Sequence, residues 1–314
     1  MHQIIMEEPI VEGSVAGRDL SYSFFSQCAE LTEVEEGIRT CEFEDQQKRR
    51  NKETEFRLLR RMTETNQHIE QLVQNTPNLQ NLNRYSDILP YQDTIVKLNN
   101  NEYINANWIS GPLPSQEKLF IATQGPLKST KETFWKMVLE KKAKLVIMLT
   151  DFHEAGRKKC DEYFPMEGKL QEGSVEVELI SQENDLPVLT RREFEVRGQE
   201  ETSKVTHLQC TAWPDHGTPE LENDFDSLNY LLQEIDKCHP VVMHCSAGIG
   251  RTGTLIALYH LTKTIQTQTS APRISVFGTV RRLREQRLGM VQTKDQYLFI
   301  YSFMTQWIRR FCHL

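Results

Sequence analysis

The sequence predicts an α/β protein in which helices cover a β-sheet, and three stretches carry this prediction. Residues 145–149, LVIML, are a continuous apolar run, which is typical of a strand buried on both faces of a sheet covered by helices. Residues 241–243, VVM, form a shorter apolar run, and residues 252–264 then show helical spacing of leucines. Residues 172–210 alternate in places between polar and apolar side chains, which indicates antiparallel strands.

Length and charge limit the classes of function. The chain has 314 residues, which suits one large α/β domain with a short extension. Its formal net charge is −7, so we expect no general attraction to nucleic acid or to acidic membranes. Any affinity for a phosphate group must therefore come from a local basic site.

Cysteine usage and the first residues favour a reducing compartment. The seven cysteines are an odd number with no C-x-x-C pair, which argues against a zinc site and against a disulfide framework. Acidic residues stand near the start, at Glu7, Glu8 and Glu12, where a signal peptide would be basic and then apolar. No run reaches the 18 or so apolar residues of a membrane span. We expect a cytoplasmic monomer with no integral membrane segment, no metal and no cofactor.

The pattern changes after about residue 52. Residues 1–52 are acidic until a basic cluster at residues 48–52, and we expect them to form an N-terminal extension that is partly disordered or regulatory. Residues 53–314 are predicted to form the main domain. Its first element is an expected amphipathic helix, with apolar side chains at Phe56, Leu59, Met62, Ile69 and Leu72.

The chain is organised around residues 244–253, HCSAGIGRTG. Cys245 follows the predicted strand and precedes the predicted helix. Such a turn aims main-chain N–H groups and the positive end of the helix dipole at one point, which favours an anion there. The same field should keep a cysteine as the thiolate at neutral pH. Arg251 could donate two parallel hydrogen bonds to a phosphate group.

Two other interpretations of this loop compete with an anion site. GIGRTG also fits the G-x-G-x-x-G fingerprint of dinucleotide-binding proteins, which calls for an acidic residue about 20 positions later. No Asp or Glu occurs between Arg251 and Arg284, so the fingerprint is incomplete. Cys245 could also be an ordinary buried cysteine, but an arginine and three glycines around it favour a functional thiol.

The loop resembles the HCxxGxGR[ST]G signature of the protein tyrosine phosphatases, and the resemblance extends over about residues 55–311. It implies the protein tyrosine phosphatase fold, a highly twisted mixed β-sheet flanked by α-helices, in a single catalytic domain like those of the non-receptor members. It implies hydrolysis of phosphotyrosine in proteins through a phosphocysteine intermediate, in signal transduction, with phosphotyrosine proteins or peptides as partners. The sequence departs from the family's usual residues at Leu82, Ile95, Phe164 and Cys210.

The resemblance also assigns catalytic roles. Cys245 would be the nucleophile, Arg251 would bind the phosphate, and Thr252 would donate a hydrogen bond to the departing sulfur. Asp215, in the segment TAWPDHGTP, would be the general acid on a hinged loop. Gln292, in VQTKDQ, would position the hydrolytic water.

Further residues would bind the substrate or support the catalytic groups. Tyr85, in NRYSDILP, would stack on the substrate ring and set the depth of the pocket, and Asp87 would bind main-chain N–H groups of the peptide. The remaining substrate-binding residues would be Ser246, Ala247, Gly248, Ile249, Gly250, Gln296 and Lys159. The supporting residues would be His244, Glu154 and Trp213, together with Asn105 and Gln124 behind the loop.

Several alternatives stay open from the sequence. Arg284 and Arg287 could form a basic rim that attracts a second phosphate, or they could be a solvated helix end. The chain could be a catalytically silent phosphotyrosine-binding module, although binding alone needs no acid. It could be a phosphatase of dual or other specificity, or an interaction protein that acts through residues 1–52.

Overall fold

The computed structural model describes residue 35 and residues 37–65, 71–211, 213–214, 217–268 and 272–312. In these ranges a mixed sheet of eight strands crosses the molecule, and helices pack on it. A two-stranded ribbon and a short two-stranded hairpin lie outside the large sheet.

The described elements are numbered in chain order. The strands are β1 Ile38–Arg39, β2 Ala106–Ile109, β3 Phe120–Thr123, β4 Leu145–Met148, β5 His153–Glu154, β6 Arg157–Lys158, β7 Lys169–Glu172, β8 Val175–Leu186, β9 Leu189–Arg197, β10 Thr202–Cys210, β11 Val241–His244 and β12 Arg273–Ile274. The α-helices are α1 Phe43–Arg49, α2 Lys52–Glu64, α3 Lys131–Glu140, α4 Leu221–Ile235, α5 Gly250–Thr267, α6 Val276–Arg284 and α7 Lys294–Phe311. Short 3₁₀ helices span Thr40–Glu42 and Gln80–Leu82.

The large sheet has the order β2-β3-β11-β4-β10-β9-β8-β7. Its centre is parallel, because β11 pairs in parallel with β3 and β4, and β4 pairs in parallel with β10. The outer pairs are antiparallel. The carboxyl ends of the four parallel strands therefore lie along one edge, which is where ligands bind in open α/β sheets.

Side chains of the central strands alternate between two hydrophobic layers. Val241 and Met243 of β11 belong to the layer that contains α4, α5 and α7, whereas Val242 belongs to the layer that contains α3. This alternation is the two-residue period of a strand, and both faces are covered. The prediction of a buried strand at residues 145–149 is confirmed, since every residue of β4 is buried.

The structure confirms one expected region and corrects another. Residues 172–210 form the antiparallel strands β8, β9 and β10. The first helix is shorter than expected, because α2 ends at Glu64 and Leu72 instead forms an antiparallel bridge with Tyr91. Ile69 lies outside the described residues.

The described residues of the N-terminal extension pack against the main domain. Strand β1 pairs with β12 near the other end of the chain. Ile38 and Phe43 are buried, and the Phe43 ring stacks on Tyr301 of α7 with 6.0 Å between ring centroids. The proposed boundary near residue 52 stays a prediction, and residues 1–34 lie outside the described residues.

No helix within the described ranges is long and apolar enough to cross a membrane. The six cysteines that the structure describes are all free thiols.

Phe43→Ala should lower the free energy of unfolding by about 3 to 5 kcal/mol, because it leaves a cavity between α1 and α7. Met166→Ala is the matched control, since Met166 is 58% exposed and its loss should cost about 0.5 kcal/mol or less. Urea denaturation of the full chain measures both. An unfolding curve of Phe43→Ala that overlays wild type would show that the extension is only loosely docked.

Candidate active site

A tight turn between β11 and α5 carries the candidate nucleophile. Cys245 follows the last residue of β11, and α5 begins at Gly250. Gly248 has φ of +72°, and a Cβ at this position would lie 2.0 Å from the main-chain oxygen of Thr123. Only glycine allows the loop to approach β3 this closely.

The main-chain carbonyls of this turn are hydrogen-bonded on the side away from its interior. Arg287, a fully buried guanidinium, donates to the carbonyl oxygens of Ala247 and Gly248 at 3.0 Å each. The other three carbonyls also accept hydrogen bonds. The Cys245 carbonyl accepts from His244 Nδ1 (3.0 Å), and the Ser246 carbonyl accepts from the Gly125 N–H (2.9 Å). The Ile249 carbonyl accepts from the N–H groups of Val291 (3.0 Å) and Gly253 (3.1 Å).

This arrangement has a direct electrostatic consequence. In a trans peptide the C=O and the following N–H point in opposite directions. Holding the five carbonyls of residues 245–249 outward therefore turns the N–H groups of residues 246–250 inward. Together with the start of α5, these N–H groups form a cradle for an anion.

The Cys245 thiol lies in this cradle, and its pKa is lowered from the ordinary value. Burial raises the pKa, but hydrogen bonds from the Thr252 hydroxyl and N–H, the charge of Arg251 and the Gly248 N–H together outweigh it. The buried Thr252 hydroxyl has no other well-aligned partner among the described residues, so the sulfur is the acceptor that remains for it. The site therefore favours a thiolate, which is the nucleophilic form.

Arg251 is positioned by a two-pronged ion pair. Its Nη1 and Nη2 donate to the two carboxylate oxygens of Glu154 at 2.6 and 2.7 Å. Burial raises the pKa of Glu154, but its bonds with Arg251, Thr150 and the Asp151 N–H lower it overall. Glu154 thus stays ionised and holds the guanidinium in one orientation.

Arg251 also contacts the segment expected to form the lid. Its Nη2 donates to the Pro214 carbonyl at 3.2 Å. Trp213 is buried and packs against Phe299 of α7, with 5.9 Å between ring centroids. Asp215, the expected general acid, lies outside the described residues.

His244 lies directly behind the nucleophile. Its Nε2 is 2.7 Å from the Tyr163 hydroxyl, and its Nδ1 bonds the Cys245 carbonyl. Burial lowers the pKa of His244 to about 4, so the ring is neutral at pH 7. It therefore acts on the loop through hydrogen bonds and not through charge.

The expected recognition loop reaches the cradle through Tyr85. The Tyr85 hydroxyl is 2.9 Å from Ser246 Oγ, which in turn donates to the main-chain carbonyl of Lys159 at 2.9 Å. Tyr85, Ser246 and Lys159 are half-buried, as expected for the wall and rim of a pocket. Asp87 is exposed, and no side-chain hydrogen bond or ion pair of Asp87 occurs within the described ranges.

Arg84 anchors this loop, and the sequence interpretation overlooked it. Its guanidinium donates to the carbonyls of Gly125 (3.2 Å) and Pro126 (2.8 Å) and to Asp161 (3.2 Å). Gln124 was expected to support the phosphate loop, but its side chain bonds the main chain of Leu82 and Arg84 instead. The one feature of the sequence that could have identified Arg84 is its place directly before Tyr85 in NRYSDILP.

The two glutamines expected in the site lie beside Gly250. A Cβ on Gly250 would be 2.9 Å from Gln296 Nε2 and 3.2 Å from Gln292 Oε1. Gln296 Oε1 also accepts from the N–H groups of Gln292 (3.0 Å) and Thr293 (3.2 Å), which caps α7. Val291, just before Gln292, has φ of +59°, a strained conformation for a β-branched residue.

The structure contradicts both interpretations of Arg284 and Arg287 as surface residues. Arg284 is 5% exposed and Arg287 is 1% exposed. Arg284 donates to the carbonyls of Met290 (2.9 Å) and Val291 (2.8 Å) and so holds the strained turn. Arg287 holds the phosphate loop and also bonds the side-chain oxygens of Asn105 (2.8 Å) and Asn107 (2.6 Å). The arginines face inward because main-chain carbonyls are their partners, which a sequence does not reveal.

Metal ligation has no candidate within the described ranges, because no three His, Cys, Asp or Glu side chains converge there. The main-chain N–H groups of the loop and the Arg251 guanidinium could donate hydrogen bonds to an anion in the cradle.

Comparison with known proteins identifies a family and several relatives of this chain. The family model for protein-tyrosine phosphatase matches residues 79–306. Receptor-type tyrosine-protein phosphatase eta of Gallus gallus is 40% identical over 238 residues, which is 72% of this chain and 16% of that protein. Tyrosine-protein phosphatase Lar-like of Caenorhabditis elegans is 37% identical over 230 residues, which is 70% of this chain and 10% of that protein. The chain thus spans a small fraction of the length of these relatives.

Solved structures resemble most of this chain. The catalytic domain of human protein tyrosine phosphatase non-receptor type 18 superposes with a TM-score of 0.75 at 32% identity, covering 82% of this chain and 95% of that one. A structure of PTPN18 in complex with HER2-pY1196 phosphopeptides gives a TM-score of 0.77 at 30% identity, covering 85% and 98%. The fold, with its twisted mixed sheet between helices, is shared.

Thr252→Val should raise the pKa of Cys245, because it removes the hydroxyl that stabilises the thiolate. The rate of iodoacetamide alkylation of Cys245, followed against pH by mass spectrometry, should shift to higher pH. Thr262→Val is the matched control, since the Thr262 hydroxyl in the same helix bonds only helix carbonyls, Leu258 at 2.9 Å and Tyr259 at 3.2 Å. Equal profiles for wild type and Thr252→Val would show that the hydroxyl does not act on the sulfur.

Arg287→Met should destabilise the protein by about 3 to 5 kcal/mol, because it leaves buried acceptors without a partner. Arg309→Met is the control, since the ion pair of Arg309 with Glu44 is exposed to solvent and should contribute little to stability. Urea denaturation compares the two variants. A loss for Arg287→Met no larger than for Arg309→Met would contradict the holding role.

Proposed function

The chain belongs to the protein-tyrosine phosphatase family, and from this premise we propose that it hydrolyses phosphotyrosine in proteins through a phosphocysteine intermediate. The observation that carries the proposal is the Cys245 thiol with a lowered pKa inside a cradle of inward N–H groups. A binding module would gain nothing from an activated nucleophile. The relatives with this fold are named as phosphatases.

In the first step the Cys245 thiolate attacks phosphorus in line with the leaving phenolate. Arg251 and the N–H groups of the loop bind the equatorial phosphate oxygens, where the negative charge is concentrated. Asp215 protonates the leaving oxygen as the O–P bond breaks, so the substrate's tyrosine side chain departs as a phenol and an S–P bond to Cys245 remains. The ion pair with Glu154 keeps Arg251 oriented during this step.

In the second step water attacks phosphorus and the thiolate leaves. Asp215, now ionised, accepts a proton from this water, and Gln292 positions the water. Gln296 fixes the main chain of Gln292 through its side-chain oxygen, which supports this placement. Thr252 donates a hydrogen bond to the departing sulfur. The products are inorganic phosphate and the regenerated thiolate.

Tyr85 supports a preference for phosphotyrosine over phosphoserine. Its hydroxyl is tied to Ser246 of the loop, so its ring forms a fixed wall of the entrance. A deep entrance lets the long phenyl phosphate reach Cys245 and leaves phosphoserine short of the sulfur. Phosphotyrosine peptides as partners are also supported by the PTPN18 structure in complex with HER2-pY1196 phosphopeptides.

We further propose that the protein acts in signal transduction, as a monomer, in the cytoplasm and without nucleic-acid partners. A thiolate nucleophile needs a reducing compartment, which supports the cytoplasm. The large exposed apolar side chains within the described ranges lie in separate parts of the chain, which supports a monomer. They are Met166 in the loop before β7, Ile180 in β8 and Phe311 at the end of α7. The net charge of −7 supports the absence of nucleic-acid binding.

Purified protein with all 314 residues should hydrolyse a phosphotyrosine peptide, but not the matched phosphoserine peptide, in buffer with EDTA and reductant. Cys245→Ser should abolish turnover, because serine is not ionised in this field. Asp215→Ala should lower kcat by about 10²- to 10⁴-fold through the loss of general acid catalysis. Phosphate release measures all four cases.

If the wild-type protein bound the phosphopeptide and released no phosphate, it would be a binding module and not an enzyme. Equal turnover of both peptides would point to dual specificity. Either result would overturn the proposal as stated.

A further inference from the structure

A second buried histidine adjoins the His244–Tyr163 pair. His207 of β10 is fully buried, and its Nε2 lies 2.8 Å from the Tyr163 hydroxyl, which also lies 2.7 Å from His244 Nε2. The imidazole rings of His207 and His244 thus share one phenol oxygen. No step of the proposed mechanism uses His207.

The direction of each proton along this chain follows from the acceptors. The Cys245 carbonyl can only accept a hydrogen bond, so His244 Nδ1, 3.0 Å away, must carry the proton. His244 is neutral at pH 7 because burial lowers its pKa to about 4, so its Nε2 has a lone pair. The Tyr163 hydroxyl, 2.7 Å away, must therefore donate to His244 Nε2.

The single proton of the Tyr163 hydroxyl is then committed to His244. His207 Nε2 can only satisfy its contact with the phenol oxygen by donating to it. His207 is accordingly neutral with its proton on Nε2, and its Nδ1 carries a lone pair. This Nδ1 is buried and has no well-aligned partner among the residues that the structure describes. Its own main-chain carbonyl nearby would favour a proton on Nδ1, but the well-formed contact of Nε2 with the phenol oxygen at 2.8 Å decides the tautomer.

The surroundings of His207 keep it neutral and fixed in orientation. The Phe164, Phe194 and Tyr163 rings pack around it at centroid distances of 4.6, 5.7 and 5.8 Å. Burial lowers its pKa first, and the charge of the Arg192 guanidinium lowers it further. Arg192 itself is held by Gln182 at 2.8 Å and Gln209 at 3.0 Å.

We propose that His207 is a positioning residue for the Cys245 loop. Its Nε2–H turns the Tyr163 hydroxyl toward His244, and His244 in turn holds the Cys245 carbonyl outward. The carbonyl and the N–H of Ser246 belong to one planar peptide, so this hold aims the Ser246 N–H into the cradle. The relay runs from β10, the strand that leads to the lid segment, to the strand that ends at the nucleophile.

If His207 lost its Nε2–H donor, the directions of the hydrogen bonds from Tyr163 to His244 and from His244 to the Cys245 carbonyl would no longer be fixed. The Tyr163 hydroxyl could rotate away, and His244 could then carry its proton on Nε2. The lone pair of His244 Nδ1 would face the Cys245 carbonyl oxygen, and the two would repel. The carbonyl would turn and the Ser246 N–H would leave the cradle, so the thiolate would lose some of its stabilisation.

The first test reads the tautomers in the unaltered protein. Histidine ¹⁵N shifts distinguish protonated from unprotonated ring nitrogens, and His207→Gln and His244→Asn spectra assign the signals. At pH 7 we expect His207 protonated on Nε2 and His244 protonated on Nδ1. A proton on His207 Nδ1, or on His244 Nε2, would overturn the proposal without any reference to turnover.

The second test compares two amides at position 207. The amide nitrogen of glutamine can occupy the place of His207 Nε2, whereas that of asparagine reaches only the place of Nδ1. His207→Gln should keep kcat within about threefold of wild type, and His207→Asn should lower it about tenfold with little change in KM. The pH profile of Cys245 alkylation should move to higher pH in His207→Asn only.

A purely structural role would change the unfolding midpoint of both variants and leave the alkylation profile unmoved, and this result would overturn the proposal. Equal kcat losses for Gln and Asn would overturn it as well. The kcat comparison rests on the proposed phosphatase function, but the tautomer spectra and the alkylation profile do not. If the wild type were inactive but gave the expected spectra and alkylation profiles, the proposed function would be refuted and the positioning role of His207 would still be supported.

Discussion

The site depends on one constraint, the outward hold on the carbonyls of residues 245–249. A loop of this kind has no regular hydrogen bonds of its own, and its N–H groups would repel one another if nothing fixed them. Arg287 and His244 bind the carbonyls of the loop from behind, with help from main-chain N–H groups of neighbouring segments. The planar peptide converts this hold into an inward ring of donors. The inward N–H groups can bind an anion, and the Gly248 N–H acts with Thr252 and Arg251 to lower the pKa of Cys245. The ion pair with Glu154 orients Arg251 beside this ring.

The hold has an energetic cost that the surrounding structure offsets. Burial lowers the pKa of Arg287 to about 10, yet the side chain stays charged at neutral pH because carbonyl and amide oxygens surround it. Its positive charge then lies behind the loop and acts on the thiolate together with Arg251. Arg284 has a similar role in the neighbouring turn, where it bonds the carbonyl of the strained Val291. The described domain thus places two arginines in its interior to shape backbone and not to meet solvent.

The sheet brings the separate motifs together. Cys245, Glu154 and Trp213 follow the carboxyl ends of β11, β4 and β10, which are parallel neighbours, and Gln124 follows β3. Motifs that are distant in the sequence therefore meet at one edge. The sequence interpretation identified most of these groups because each stands in a recognisable local pattern. It overlooked Arg84 and Asn107, and it assigned Arg284 and Arg287 to the surface, because a cation near a helix end carries no local sign of a buried partner.

The sequence alone determined the class of fold, the strand-loop-helix unit around Cys245 and the chemistry that a cysteine and an arginine can perform there. These properties depend on local patterns: apolar runs, glycines at a turn and the spacing of two side chains. Only the tertiary structure decided which groups bind the carbonyls of the loop, where the first helix ends, and how His207, Tyr163 and His244 share their protons. These properties depend on partners distant in sequence, and hydrogen-bond direction is set by the acceptor that the fold brings into contact.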